Sequence, residues 1–235
     1  MNEANSGYDS SPTHTVAVDG GAVPVFAQGP SDANQVPGLI VVPSIFGPAR
    51  DLLERMAGLA DASLVVVADP FWRVGGGVVA YEDHDAAFAR LAGFDMADCH
   101  ADMRAVIEWT RARCNGRVAG LGICFGGPVV LVAASEGDLS GVVAWHGTRM
   151  EGVLERVKEI TCPLRFHFGG ADPVTPPEVI EQIRDAFADH RDVHCTIHPG
   201  LKHGYSHEGE SYDEAAAQSG VDDTRAMLAA LESSP

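Results

Sequence analysis

The hydrophobic positions of this chain fall into short continuous runs that alternate with helix-like segments. Six runs of four to six residues lack a regular apolar/polar alternation, which is typical of strands covered on both faces in a parallel sheet. They are Leu39–Val42, Leu64–Ala68, Val118–Ile123, Val142–Trp145, Leu164–Phe168 and Val193–Ile197. Helical character is found between them, at about 50–60, 95–114, 126–135, 150–159, 176–189 and 212–232. Repeated strand–helix units with right-handed crossovers predict a doubly wound, mostly parallel α/β sheet with helices on both faces.

The N-terminal region departs from this pattern. Residues 1–13 are polar and rich in turn formers, so they are predicted to be a disordered or frayed tail. His14–Val18 and Val23–Ala27 flank the turn sequence Asp19-Gly20-Gly21, which indicates an antiparallel hairpin. No repeat and no long linker divides the chain after this hairpin. We therefore expect residues 14–235 to form a single domain.

Composition narrows the class of protein. Hydrophobic residues make up 46% of the chain and charged residues 21%, an ordinary balance for a globular protein. The 16 basic and 33 acidic residues give a net charge of −17, which repels phosphate backbones and disfavours nucleic-acid binding. No apolar run is long enough to cross a membrane, and the first thirty residues have no export signal. The expectation is a cytoplasmic monomer or small homo-oligomer that acts on a small molecule.

One of the five cysteines lies in a distinctive motif. The odd number and the lack of an export signal favour free thiols. Cys124 stands in Gly122-Ile123-Cys124-Phe125-Gly126, between an apolar strand and a helical segment. The corresponding G-x-S-x-G turn is the nucleophile elbow of α/β-hydrolases. There the helix N-terminus would favour a thiolate, and the Phe125 amide would donate to a developing oxyanion.

Asp172 and His203 supply the partners that such a nucleophile needs. Each follows a predicted strand in a glycine-containing loop, at the sheet edge where α/β proteins bind ligands. The chain order nucleophile, acid, histidine is that of the α/β-hydrolase fold. His203 would take the thiol proton and later protonate the leaving group, while Asp172 would hold the imidazole tautomer. Esters or lactones are favoured over amides, because the thiolate leaves a tetrahedral intermediate more readily than an amine does. The product of the first step would be a thioester, which water then hydrolyses.

These motifs resemble those of the dienelactone hydrolases, the Cys–His–Asp branch of the α/β-hydrolases, over residues from about 15 to 230. Two further segments carry the resemblance, Ile45-Phe46-Gly47 and Asp69-Pro70-Phe71-Trp72-Arg73. The resemblance implies an α/β-hydrolase fold and hydrolysis of lactones or esters. It also implies that Ile45 supplies a second oxyanion amide beside Phe125, and that Arg73 binds a substrate carboxylate.

The chain departs from the family pattern at two positions. Ser44 stands where the family has a glutamate that keeps the resting thiol neutral, so we expect the Cys124–His203 ion pair to exist already in the free enzyme. His207 stands where the lactonases often have a second carboxylate-binding arginine. Together with the acidic net charge, His207 makes a neutral ester or lactone at least as good a candidate as a dicarboxylate-like dienelactone.

Several candidate substrate contacts have two interpretations each. Arg73 could contact substrate or pair with a surface carboxylate, and His146 could line the pocket or satisfy loop carbonyls. Ser44 could hydrogen-bond the thiolate or merely fit a tight turn. Aromatic side chains near the predicted strand ends could form a pocket wall or part of the core; they are Phe46, Phe71, Trp72 and Tyr205.

A metal or cofactor is not expected. His194 and His198 belong to a string of histidines that continues with His203 and His207, but the first two flank a strand and no neighbouring carboxylate completes a ligand set. Asp83-His84-Asp85 lies in a polar crossover with helical character and is interpreted as solvated surface. No nucleotide-binding motif occurs, and hydrolysis by the triad needs no cofactor.

The sequence therefore predicts a cysteine-dependent hydrolase of carboxylic esters or lactones, and two alternatives stay open. The same triad could act on activated organophosphorus esters, because the pocket rather than the triad selects the electrophile. Alternatively, Cys124 could be a redox-sensing or structural thiol on a non-catalytic scaffold. The absent glutamate favours this last interpretation, and the complete His203 and Asp172 partners oppose it.

Overall fold

The computed structural model describes residues 11–233, so most of the predicted tail lies outside the described residues. The strands are β1 His14–Val18, β2 Gly21–Gln28, β3 Gly38–Val42, β4 Leu64–Ala68, β5 Val118–Ile123, β6 Gly141–Trp145, β7 Leu164–Gly169 and β8 Val193–His198. They form one eight-stranded sheet in the order β1-β2-β4-β3-β5-β6-β7-β8. β2 pairs antiparallel with β1 and β4, and every other pairing is parallel. The predicted fold class is confirmed, including the N-terminal hairpin.

Helices occupy the predicted crossovers. They are α1 Arg50–Ala57, α2 His84–Ala89, α3 Met96–Arg111, α4 Gly126–Ser135, α5 Leu154–Val157, α6 Pro177–Ala186 and α7 Glu214–Ser233. The segment predicted as a helix at 150–159 is a 3-10 turn followed by the single turn of α5. Asp83 caps α2, because its carboxylate accepts a hydrogen bond from the Ala86 amide at 2.9 Å. Among the described residues no helix has the length and apolarity needed to cross a membrane.

Two glycines show that helices cover both faces of the sheet. A Cβ on Gly120 of β5 would press on Val130 of α4, and one on Gly141 of β6 would press on Met227 of α7. Ala119, which precedes Gly120, pairs with Gly141 across the sheet, so the two glycines point to opposite faces. α4 and α7 therefore lie on opposite sides. The strands between the two layers, β3 to β6, are buried at every position.

β8 is the exception to the predicted burial on both faces. His194 and Ile197 are exposed, and no residue of this strand is fully buried. The reason is its place in the sheet, because β8 pairs with β7 alone and forms an edge. The apolar run indicated a strand correctly, but it did not indicate that the strand has a neighbour on one side only.

The loops that follow the parallel strands meet at one edge of the sheet, as expected for this topology. This edge therefore gathers side chains that are far apart in sequence. The loops after β3, β4, β5, β6, β7 and β8 carry, in that order, Ser44, Asp69, Cys124, His146, Asp172 and His203.

Gly126 begins α4 at a point where no side chain fits, because a Cβ there would lie against the carbonyl group of Val42. We expect Gly126→Ala to lower the free energy of unfolding by about 1–3 kcal/mol, since the backbone of β3 must move to admit the methyl group. Urea or thermal unfolding measures the change. Gly152→Ala is the matched control, because a Cβ at Gly152 meets nothing within 4 Å. Equal stabilities of the two variants would contradict the prediction.

Candidate active site

Cys124 lies on the sharp turn between β5 and α4, and its backbone has a positive φ of 53°. This conformation costs a residue other than glycine about 1–3 kcal/mol, so the surrounding structure must enforce it. The Cys124 amide donates to the Trp145 carbonyl at 3.0 Å. Its carbonyl accepts from the amides of Gly127 and Thr148, both at 3.1 Å. These bonds tie the turn to the end of β6 and to the first turn of α4.

The glycines of the G-x-C-x-G motif let the turn close. A Cβ on Gly122 would collide with the backbone of Gly126, and one on Gly126 would collide with Val42. Without these atoms, α4 can begin directly behind the cysteine. Cys124 is only 7% exposed and lies one residue before the Phe125 N-cap of this helix.

The structure brings Cys124, His203 and Asp172 into one line of contacts. His203 Nε2 lies 3.2 Å from Cys124 Sγ, and His203 Nδ1 lies 2.8 Å from Asp172 Oδ2. The second carboxylate oxygen accepts from the amides of Val174 and Thr175 at 2.7 and 3.2 Å. Asp172 is therefore held at both oxygens and in turn holds the imidazole with Nε2 towards the sulfur.

The surroundings of His203 favour its charged form. Burial by itself lowers the pKa of this imidazole. The hydrogen bonds to Asp172 and Cys124, and the negative charges of both partners, outweigh burial and raise the pKa of His203 to about 10. An imidazolium at neutral pH is the state that stabilises a neighbouring thiolate.

The two amides predicted to form an oxyanion hole are those of Ile45 and Phe125. Within residues 11–233 neither amide donates to another residue, so both remain available to a ligand oxygen. The Ser44 hydroxyl accepts from the Phe46 amide at 3.4 Å, and the Ser44 carbonyl accepts from the Gly47 amide at 3.0 Å. Of the two interpretations of Ser44, these bonds favour the tight turn.

Arg73 and Trp72 donate to Asp102 of α3 rather than to a residue of the triad. Arg73 Nη2 and Nε reach the two oxygens of the Asp102 carboxylate at 2.7 and 2.8 Å, and Trp72 Nε1 donates to the same carboxylate at 2.8 Å. Arg73 Nη2 also donates to the Asp19 carbonyl at 2.7 Å. Asp102 is 2% exposed, and a buried carboxylate needs such a partner. The structure therefore uses Arg73 in an ion pair, not as a free cation for a substrate carboxylate.

His146 forms a wall beside the triad. It follows β6 with a φ of 37° and is fully buried. Its Nε2 lies 2.7 Å from Ser206 Oγ, and its ring stands edge-on to His203 and Tyr205, with centroid distances of 4.8 and 5.0 Å. Burial, together with the nearby His203 and His207, lowers the pKa of His146 well below its ordinary value. His146 is thus a neutral ring at pH 7.

His207 is neutral as well. Burial is the main cause that lowers its pKa to about 4, although Asp51 opposes the shift. The ring stacks on Tyr81 at a centroid distance of 5.0 Å, and the Tyr81 hydroxyl donates to Asp51 at 2.7 Å. The position where the family often has an arginine therefore holds no positive charge at pH 7.

Aromatic rings flank both loops that carry the predicted oxyanion donors. Phe125 contacts Phe71 and Phe94 at centroid distances of 5.0 and 5.2 Å. In the loop after β3, Phe46 meets Tyr81 edge-on at 5.1 Å. Aromatic side chains therefore pack beside Phe125 and beside Phe46.

The histidine string at 194–207 does not form one cluster. His194 is exposed and lies 3.8 Å from Asp192, whereas His203 faces Cys124. Within the described part of the chain, the one group of three potential metal ligands is Cys124, His146 and His203, whose donor atoms lie within 4.8 Å of one another. Two of these three already form the thiol–imidazole contact.

Sequence reasoning missed the residues that hold the predicted ones in place. Asp102 shares a buried helix face with Cys99, Met103 and Val106, and an acidic residue on an apolar face requires a cationic partner. The helical spacing of Asp102 among these apolar residues was therefore a signal, visible in the sequence, that it needs a partner. No comparable signal indicated Ser206 as the partner of His146.

A comparison with known proteins decides the family. The profile of the dienelactone hydrolase family matches residues 23–231. The chain belongs to that family. As a dienelactone hydrolase family member, it is a hydrolase that acts on ester or lactone bonds.

Individual relatives agree with this assignment. A carboxymethylenebutenolidase from a Pseudomonas species is 31% identical over 158 residues, which cover 64% of this chain and 66% of that protein. Carboxymethylenebutenolidase 1 from Cupriavidus pinatubonensis is 25% identical over 212 residues, which cover 87% and 90%. Among solved structures, a dienelactone hydrolase-like promiscuous phosphotriesterase from metagenomic libraries has the same fold, with a TM-score of 0.75 at 22% identity. That alignment covers 92% of this chain and 96% of the other.

The contact between Cys124 and His203 predicts an unusual pH profile for thiol alkylation. Between pH 7 and 9 an isolated thiol with a pKa of about 8.5 gains about 25-fold in thiolate, and its alkylation rate rises in proportion. The pKa of His203, at about 10, keeps the imidazolium charged over this range. We therefore expect the rate of Cys124 alkylation by iodoacetamide to change little between pH 7 and 9.

Asp172→Asn provides the control for this profile. The substitution removes a charge that raises the pKa of His203, while its side-chain oxygen can still accept from Val174 and Thr175. The alkylation rate of this variant should rise with pH more steeply than that of the wild type. A wild-type inflection near 8.5, or identical profiles for the two proteins, would count against the ion pair.

Proposed function

We propose that this family member is a cysteine-dependent hydrolase of carboxylic esters or lactones that works through a thioester acyl-enzyme and needs no cofactor. The observation that carries the proposal is the line from Cys124 Sγ to His203 Nε2 at 3.2 Å and from His203 Nδ1 to Asp172 Oδ2 at 2.8 Å. Hydrogen-bond reach between a nucleophile and an oriented base is what covalent catalysis requires.

In the first half-reaction, the Cys124 thiolate attacks the carbonyl carbon and a carbon–sulfur bond forms. The electron pair of the carbonyl moves to oxygen, which the amides of Ile45 and Phe125 stabilise. When the oxyanion collapses, the carbon–oxygen bond to the leaving group breaks. The His203 imidazolium gives its proton to the departing alkoxide, which in a lactone stays attached to the acyl chain.

In the second half-reaction, neutral His203 takes a proton from water while the water oxygen attacks the thioester. Collapse of the second oxyanion expels the Cys124 thiolate and releases the carboxylic acid. His203 is charged again, and the resting ion pair is restored. Asp172 keeps the ring in one orientation throughout and stabilises each charged state.

We further propose that the substrate is neutral around its acyl group. Two family positions that could bind a carboxylate offer no free cation, because Arg73 is committed to Asp102 and the pKa of His207 is about 4. The rings of Phe46, Phe125 and Tyr81 suit an apolar or aromatic group instead. The net charge of −17 adds a long-range repulsion of anions.

Cys124→Ala tests the nucleophile. We expect turnover of p-nitrophenyl butyrate to fall to the background rate, because the substitution removes the sulfur that forms the acyl-enzyme. Cys195→Ala is the matched control, since Cys195 is a free, partly exposed thiol on β8. Steady-state hydrolysis is measured for butyrolactone and diethyl p-nitrophenyl phosphate in parallel. Retained activity of Cys124→Ala would favour the redox or structural thiol, and a preference for the phosphate would favour the organophosphorus alternative.

The substrate charge is tested with a matched pair of esters. We expect kcat/KM for p-nitrophenyl butyrate to exceed that for mono-p-nitrophenyl succinate by at least about tenfold, because the succinate carboxylate finds a negative field and no free partner. Repeating the pair at high salt separates the two causes, since salt screens the long-range field and leaves the pocket unchanged. A faster reaction of the succinate ester would contradict the proposal.

A further inference from the structure

Arg90 links two loops that lie beside the reactive sulfur. It follows α2 and begins a 3-10 turn. Its Nη1 donates to the Ile45 carbonyl at 3.2 Å, and its Nη2 donates to the carbonyls of Gly76 and Gly77 at 3.1 and 3.2 Å. The guanidinium also lies over the Phe71 ring, 4.7 Å from its centroid. One side chain thus fastens the loop after β3 to the loop after β4.

Asp69 holds the second of these loops from the inside. It is 3% exposed, and its two oxygens accept from the amides of Gly77 and Phe71 at 2.5 and 3.0 Å. Arg90 and Asp69 therefore bind the same glycine segment, one through its carbonyls and the other through an amide. The glycine segment of the loop after β4 is thus held from two sides, and Arg90 joins it to the loop after β3.

The peptide that Arg90 holds is the one that follows the predicted oxyanion donor. Its carbonyl belongs to Ile45 and accepts from Arg90, while its amide belongs to Phe46 and donates to Ser44 Oγ at 3.4 Å. The next carbonyl, that of Phe46, accepts from the Val79 amide at 2.9 Å. This peptide is thus fixed at both ends. The amide of Ile45, which precedes the peptide, donates to no acceptor in the described chain.

We propose that Arg90 is a positioning residue for the oxyanion hole, acting through the Ile45 carbonyl to orient the Ile45 amide. The inference rests on the proposed hydrolytic function. Electrostatic stabilisation of a transition state depends on donors that are oriented before the reaction begins. The planar guanidinium holds the two loops through separate nitrogens in a fixed fork, with Nη1 on Ile45 and Nη2 on Gly76 and Gly77, whereas the ammonium group of a lysine is a single point.

The proposal makes a specific kinetic demand. Among the described residues no hydrogen bond joins Arg90 to Cys124 or His203, so reactions of the thiol that need no oxyanion hole should be insensitive to it. Reactions that place a negative oxygen in the hole should depend on it. An interaction made only in the transition state changes kcat more than KM.

Arg90→Lys tests this demand. We expect kcat for p-nitrophenyl butyrate to fall about 10- to 100-fold while KM changes by less than about threefold. Butyraldehyde, which forms a hemithioacetal with the Cys124 thiol and places its oxygen in the hole, should lose inhibitory affinity by a comparable factor. The rate of iodoacetamide alkylation and the midpoint of thermal unfolding serve as readouts of the thiol and of the fold.

Two further variants keep the test decisive. Arg165→Lys is the matched control, since Arg165 makes an ion pair with Asp192 and bonds the Leu164 carbonyl at the opposite end of β7. It should leave kcat, KM, the aldehyde affinity, the alkylation rate and the unfolding midpoint unchanged.

Ser44→Ala removes the acceptor of the Phe46 amide, at the other end of the peptide that Arg90 holds. It should lower kcat and aldehyde affinity together by about 3- to 10-fold, a modest effect because the bond from the Phe46 amide is long. It supplies the answer if Arg90→Lys does not fold.

The outcomes separate this inference from the proposed function. If Cys124→Ala keeps its turnover, the proposed function and the role of Arg90 are both overturned. If turnover needs Cys124 and folded Arg90→Lys retains wild-type kcat and aldehyde affinity, only the role of Arg90 is overturned. Parallel losses of alkylation and turnover would also overturn it, because they would indicate general damage to the site.

Discussion

The position of the Cys124 sulfur depends on how closely α4 approaches β3 and β5. Because Gly122 and Gly126 carry no side chains, the first turn of α4 rests against the Val42 carbonyl, and Cys124 is left with a positive φ. A close-packed sheet that is buried on both faces cannot yield to relieve this strain. His203, which Asp172 holds, then contacts a sulfur whose position is already set by backbone packing.

Two histidines of one loop differ in charge at neutral pH because their partners differ. His203 has a carboxylate and a thiol as partners, and they raise its pKa to about 10 in spite of burial. His207, four residues later, stacks on a phenol ring and has a pKa of about 4. At neutral pH the His203 ring is a positively charged proton donor, and the His207 ring is uncharged. Partner identity, rather than depth in the protein, decides which of the two effects wins.

Most of the fold, and the contacts among Cys124, His203 and Asp172, could be predicted from the sequence because they follow from local rules. Buried parallel strands leave continuous apolar runs, and the sharp turn at Cys124 needs glycines at fixed offsets. The order of strands in the sheet, and the pairing of side chains that are far apart in sequence, follow no such rule. Nothing in the run Val193–Ile197 says that it ends the sheet, and Arg73 could have paired with any of 33 acidic residues. The reach of Arg90 to Ile45 spans 45 positions and depends wholly on the folded loops.

The commitment of Arg73 to Asp102 constrains how substrate preference can change over evolutionary time. A lineage that gained advantage from an anionic substrate could not recruit this arginine by one mutation, because the guanidinium is already neutralised. Loss of Asp102 would have to come first, and it would leave the partly buried Trp72 indole N–H without its acceptor. The intermediate genotype would therefore carry a stability penalty before any new specificity could be selected.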